Sequence, residues 1–151
     1  MSYPHFSTEC DEHHGLVRDF GGERPRIVCL CGSTRFKDEI NAANARLTMS
    51  GALVISLGMF GHTDMPAVDW TTGGSDLKQM LDDLHKRKID LADEIHVVNV
   101  GGYIGESTRG EIAYAVEHGK GVTFLEPDEN EEWETPGALT AGLDYEVPNH
   151  A

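Results

Sequence analysis

The sequence predicts an α/β domain built on a parallel sheet. Short apolar runs of strand length recur at Arg26 to Cys31, Ala52 to Leu57, Glu94 to Asn99 and Val122 to Leu125. Segments with the apolar spacing of helices lie between them. Glycine follows three of the runs, at Gly32, Gly58 and Gly101, where a strand would turn toward a helix. Strands that alternate with helices imply parallel pairing and right-handed crossovers.

Taken in order, residues 1–25 are polar, rich in glycine, histidine and acid, and read as an N-terminal extension. Arg26 to Cys31 is entered from Pro25 and stopped by Gly32, the profile of a central strand. Ser33 or Thr34 then caps a helix carrying Phe36, Ile40, Ala43 and Leu47, which ends near Gly51. After the second strand, Gly58 to Ser75 forms a loop long enough to be functional. Leu77, Leu81, Leu84 and Leu91 mark the buried stripe of the next helix, with Ser75 as its cap. The third strand leads into Gly101 to Lys120, a glycine turn and a helix closed by Gly119. The α/β domain is expected over 26–126, and 127–151 is an acidic tail carrying Trp133 and Tyr145, able to add an edge strand or reach a neighbouring subunit.

At 151 residues the chain suits one domain with its own core. Twelve basic against 26 acidic side chains give a net charge of -14, which argues against a nucleic-acid polymer as partner and leaves a mononucleotide open. No stretch has the length and apolarity of a membrane span, and the first residues lack a signal-peptide pattern, so a cytoplasmic protein is expected. Cys10, among Glu9, Asp11, His13 and His14, lacks a zinc-ligand spacing and reads as part of a polar tail, with no metal expected. Cys29 and Cys31 are expected to be small buried hydrophobes pointing to opposite faces of their strand.

In a parallel sheet the strand C-terminal ends share one edge, so the loops at Gly32 to Arg35, Gly58 to His62 and Gly101 to Gly110 should converge. Gly32, Ser33, Thr34 and Arg35 match neither the dinucleotide fingerprint nor a P-loop, and no cofactor is expected. Met59 and Phe60 offer faces for a base, and His62 and Asp64 offer polar edges. The third loop contributes Tyr103, Gly105 and the hydroxyls of Ser107 and Thr108. Glu111, in the first turn of its helix, would be kept ionised by the helix dipole and could attack an electrophilic carbon. Thr108 to Glu111 equally fits a capping box, in which the glutamate folds back onto its own helix.

Glu111-Ile112-Ala113-Tyr114-Ala115 with Gly119-Lys120, Cys31-Gly32-Ser33-Thr34-Arg35 and Ala92-Asp93-Glu94 resemble the nucleoside 2-deoxyribosyltransferases and the related nucleotide N-glycosidases, including 2'-deoxynucleoside 5'-phosphate N-hydrolases. The resemblance covers about residues 26–126. It implies a single Rossmann-like (flavodoxin-like) domain, a parallel sheet of four to five strands flanked by helices. It further implies that Glu111 is the nucleophile at C1', that Gly32 to Arg35 touch the nucleotide, and that the chain forms a homodimer or higher homo-oligomer around a small nucleoside or nucleotide.

Two departures stand out. The family's phosphate-binding serine lies about six positions before the glutamate, where this chain has Gly105, and Ser107 lies four before. A sugar-binding aspartate is expected eight positions before Asp93, where this chain has His85, with Asp82 and Asp83 as stand-ins. The implied reaction passes through a glycosyl ester, resolved by water in an N-glycosidase or by a second base in a transferase, with Asp64, Asp69 and His62 as candidates for the general acid. A nucleotide-binding or sensing module without catalysis and an NAD-directed glycohydrolase remain open as alternatives.

Overall fold

The computed structural model describes residues 22–70 and 76–128. The sequence expectations for 1–21 and 129–151, including the Cys10 cluster, Trp133 and Tyr145, lie outside the described residues, as does Ser75. The chain forms β1 (Ile27–Gly32), α1 (Lys37–Met49), β2 (Leu53–Ile55), a single helical turn α2 (Gly61–Asp64), α3 (Asp76–Leu91), β3 (Glu94–Val98), α4 (Glu106–Glu117) and β4 (Gly121–Phe124). The four strands are all parallel, in the order β2-β1-β3-β4. This is the flavodoxin-like α/β arrangement the strand and helix alternation predicts, with four strands among the described residues.

Strand alternation sorts the core into two layers. From β1 and β3, Cys29, Cys31, Ile95 and Val97 face α3 and α4, where they meet Ile89, Ile112 and Ala115. Leu30 and Val98 face the other way and pack on Ile40 and Ala43 of α1. Each fully buried Leu or Ile of these layers contributes about 1.5–3 kcal/mol of transfer free energy. Cys29 and Cys31 therefore share a face, because residues two apart in a strand point the same way. The expectation of opposite faces was an error of parity.

Glycines close both helix ends that the sequence marked, Gly51 with φ 90° after α1 and Gly119 after α4. Gly119 takes φ 69° after α4, and its amide and that of Lys120 donate to Val116 and Ala115 carbonyls at 3.1 and 2.9 Å. This is the paired closure that satisfies otherwise orphaned helix carbonyls.

The helix α3 departs from its predicted stripe. Leu84 is 48% exposed and Leu91 70%, while His85 and Ile89 are the buried residues. The inward stripe is Lys78, Asp82, His85 and Ile89, spaced four, three and four. Because a crossover helix starts over the strand C-terminal ends, the stretch from Lys78 to Lys88 borders a crevice there, while Ile89 on the same side packs on the apolar sheet.

The turn after β3 is held by Asn99, which is wholly buried. Its Nδ2 donates to the Glu126 carbonyl at 3.0 Å and its Oδ1 accepts from the Glu126 amide at 2.9 Å. Glu126 in turn accepts from the Gly102 amide at 3.0 Å, tying the end of β4 to the loop that presents Tyr103. Asn99→Ala is expected to cost about 3 kcal/mol, since it deletes two hydrogen bonds and strands their backbone partners. Urea unfolding measures this, and a loss within 0.5 kcal/mol, the ordinary range for a neutral surface change, would deny Asn99 that role.

Candidate active site

The strand order reverses its direction of growth between β1 and β3. The chain leaving β1 goes to α1 on one face, and the chain leaving β3 goes to α4 on the other. That divergence opens a crevice beyond the strand ends. A cavity of about 340 Å³ lies there. Its walls come from four segments: Gly32 to Arg35, the Leu57 to Trp70 loop, the stretch of α3 from Lys78 to Lys88, and Tyr103 to Glu111, which leads into and begins α4.

Twelve of the residues singled out from the sequence for the site line it: Gly32, Ser33, Thr34, Arg35, Met59, Asp82, His85, Tyr103, Gly105, Ser107, Thr108 and Glu111. Ser33 caps a short 3-10 turn, Thr34–Phe36, by accepting from the Arg35 amide at 3.4 Å, so α1 itself begins at Lys37. The Arg35 guanidinium lies over the Tyr103 ring at 4.5 Å from its centre, with Nη2 3.4 Å from the phenol oxygen. This cation-π contact joins the first and third loops across the mouth.

Phe60 is not a wall of the cavity. It is 8% exposed and packs with Leu30, Ile40 and Val98, serving as an apolar plug on the α1 side. The backbone of His62 lies in α2, and its side chain is outside the described residues. Asp64 accepts from the Phe60 amide at 2.7 Å, a bond that holds its pKa below the ordinary range, and pairs with Lys37 at 3.5 Å. It is thus engaged in closing α2. Neither Asp64 nor Asp69 borders the cavity.

The start of α4 differs from the capping-box reading. Gly105 is the N-cap, with φ -74° and ψ 172° and no side-chain hydrogen bond, so Thr108 is the third helical residue and is buried. Glu111 sits in the second turn and cannot reach back to cap Thr108. The uncapped first turn forms part of the cavity wall, and such turns suit an anionic or polar group. Ser107 is used elsewhere. Its hydroxyl accepts from Lys78 Nζ at 2.9 Å, and the same ammonium donates to Asp82 Oδ2 at 2.7 Å.

Glu111 is 9% exposed, and its Oε2 has no hydrogen-bond partner. Burial pushes its pKa up to about 7, while the charge of His85 and the Cys31 thiol pull in the opposite direction. The expectation of a carboxylate kept firmly ionised by the helix dipole is thereby overturned: in the second turn, removal from water outweighs the dipole. His85 Nε2 lies 3.9 Å from Glu111 Oε2, 3.5 Å from Cys31 Sγ and 3.7 Å from Cys29 Sγ. Burial works against protonated His85, yet Cys29 and the Glu111 charge outweigh it and hold its pKa above the ordinary value. Cys31, wholly buried, has its pKa raised by desolvation and by its neighbour Cys29.

Sequence reasoning missed Lys78, Lys88 and Trp70, and held Asp82 only as a substitute. Lys88 Nζ donates to the Ser56 and Leu57 carbonyls at 2.9 and 2.8 Å, closing the end of β2 against α3. Trp70 rests on bare backbone at Gly61, where a Cβ would come within 2.7 Å of the indole. The recoverable signal was the polar stripe of α3, which the interleaved leucines obscured, although Leu81 and Leu84 border the same cavity.

No protein-family model and no curated protein matches the sequence. Among solved structures, a 2-deoxyribosyltransferase from the psychrotolerant bacterium Bacillus psychrosaccharolyticus is similar over 65% of this chain and 70% of its own, at 17% identity and a TM-score of 0.46. At that identity the roles of side chains rest on their geometry in this chain. No helix among the described residues is long and apolar enough to cross a membrane.

Proposed function

We propose that the cavity cleaves or exchanges the N-glycosidic bond of a nucleoside or nucleoside 5'-monophosphate, with Glu111 as nucleophile at C1'. The observation that carries this reading is a buried carboxylate on the cavity wall with one oxygen free of hydrogen bonds and a pKa near neutrality. A structural capping glutamate would have its oxygens occupied by backbone amides. The sequence motif around Glu111 supports the same assignment.

In the proposed reaction, the Glu111 oxygen bonds to C1' as the C1'–N bond breaks, and the electron pair leaves with the base, which takes up a proton. The resulting glycosyl ester is opened by water or by a second base, which bonds to C1' and frees the carboxylate. The transition state has oxocarbenium character, so a negative oxygen close to C1' stabilises it before the bond is complete. Protonated His85 next to Glu111 favours the ionised form that attack requires. Lys78, Ser107 and the open first turn of α4 suit a sugar hydroxyl or a 5'-phosphate, and the Arg35–Tyr103 pair suits the face of a base.

A homo-oligomer belongs to the same proposal. Met80, Leu84 and Leu91 are 52, 48 and 70% exposed on one side of α3, and Leu84 also borders the cavity.

The test incubates wild type and Glu111→Ala with nucleosides, their 5'-monophosphates and NAD, with and without an acceptor base, and follows free base by chromatography. Release by wild type alone, with light scattering showing more than one chain per particle, is the expected outcome. Ligand-induced stabilisation of both proteins without any base release would replace the proposal with a binding module, and nicotinamide as the only product would redirect it to NAD.

A further inference from the structure

We propose that Cys29, Cys31, His85 and Glu111 form a binding site for a zinc-like divalent cation just behind the cavity wall that His85 and Glu111 form. This goes beyond the glycosidic reading and does not depend on it. The two thiols stand on one face of β1, and α3 lowers His85 onto them, so that both sulfurs and the His85 nitrogen lie within 4.8 Å of one another, all three residues buried. A tetrahedral zinc with bonds of about 2.3 Å to sulfur and about 2.0 Å to nitrogen needs sulfur-to-nitrogen edges of about 3.6 Å. The observed edges are 3.5 and 3.7 Å.

Valence gives a second, independent reason. Nε2 of one imidazole can donate one hydrogen bond or accept one. Three groups converge on it here, Cys29 Sγ, Cys31 Sγ and Glu111 Oε2, and the carboxylate oxygen is left without a hydrogen bond. A cation at the centre satisfies all of them at once. Glu111 Oε2, 3.9 Å from Nε2, needs to move by roughly half an ångström to reach the edge of about 3.3 Å that such a polyhedron requires.

The donor set selects the metal. Two thiolates with an imidazole favour zinc and other borderline or soft ions over magnesium or calcium, which prefer all-oxygen shells. Lys88, a cation that borders the same cavity, is engaged with the Ser56 and Leu57 carbonyls. Metal binding occupies the lone pairs of Glu111 and His85, so the loaded protein has no free carboxylate to offer a substrate.

The experiment titrates Co²⁺, a spectroscopic substitute for Zn²⁺, into the full-length chain carrying Cys10→Ser, so that the N-terminal cysteine supplies no thiolate. One Co²⁺ per chain is expected, with a thiolate-to-cobalt charge-transfer band and the strong visible bands of a tetrahedral site, both displaced by Zn²⁺. Adding Cys29→Ser and Cys31→Ser should remove the charge-transfer band and weaken binding about 100-fold or more, since loss of a supporting outer contact alone costs 10–100-fold. No charge-transfer band in the Cys10→Ser protein, or a band that survives both further serines, overturns the proposal. Should the triple variant not fold, X-ray absorption of the zinc-loaded Cys10→Ser protein decides: two sulfurs at about 2.3 Å are expected, and a shell with fewer refutes the site. These readouts require no turnover, so a failure of the glycosidic reading leaves them intact. If both hold, Zn²⁺ halts base release and a chelator restores it.

Discussion

Replacing Glu111 with glutamine is expected to abolish base release and to make the metal-free protein more stable at pH 8. The loss of activity follows from chemistry, because an amide cannot form the glycosyl ester. Removal of a nucleophile that works within a preorganised site costs on the order of 10⁴-fold or more. The gain in stability follows from burial. Glu111 is held at a pKa of about 7, up from an ordinary 4.5, because folding takes its carboxylate out of water. The folded state therefore retains a proton that the unfolded chain has given up, and the stability this group permits is fully present below 4.5 and falls as pH rises to about 7. At pH 8 the penalty is on the order of 3 kcal/mol, and glutamine, similar in shape and never charged, does not incur it. The variant should melt roughly 10 °C above wild type at pH 8, with the difference nearly gone at pH 4.5. Thermal unfolding in the presence of EDTA at both pH values measures this. Equal melting temperatures at pH 8 would mean that Glu111 is solvated and lacks the strained environment assigned to it.

Such a trade of stability for function is common where a charged group must be kept ready in a dry site. It also explains why the sequence made the scaffold easier to read than the site. Runs such as Arg26 to Cys31 and Glu94 to Asn99 announce strands because a central parallel strand is buried on both faces, and composition alone records that. Gly119 announces a helix end because its φ of 69° suits glycine. The convergence of Gly32 to Arg35 with Gly105 to Glu111 was legible for the same topological reason. What escaped was set by partners distant in the chain. Thr108 and Glu111 have the spacing of a capping box, and only the entry of the chain through Gly105 moves the helix start three residues earlier. The leucines of α3 outvoted Lys78, Asp82 and His85 because apolar periodicity gives no weight to polar residues interleaved with it, even where both border one cavity, as Leu81 and Leu84 do here. The grouping of Cys29 and Cys31 with His85 spans 54 to 56 residues, so no local pattern holds it, although strand parity alone would have placed the two thiols side by side.

The pH dependence of turnover should separate Glu111 from a passive carboxylate. With a pKa of about 7, the ionised fraction of the proposed nucleophile in the metal-free protein falls about tenfold for each pH unit below neutrality. The value of kcat/KM is expected to rise from pH 5 to pH 7 and level off above, lying about 100-fold below its plateau at pH 5. His85 tunes this curve. Its positive charge, 3.9 Å from the carboxylate, lowers the Glu111 pKa from what burial alone would set, so His85→Ala should move the whole limb toward alkaline pH. A residue that merely packed would lower the plateau and leave the midpoint in place. The balance is reciprocal, since the Glu111 carboxylate helps to hold the His85 pKa above the ordinary value. Initial rates at saturating and sub-saturating substrate from pH 5 to pH 9, in EDTA, give both midpoints. A flat wild-type profile across pH 5 to 7 would remove Glu111 as the ionising nucleophile, and an unshifted midpoint in His85→Ala would reduce His85 to packing.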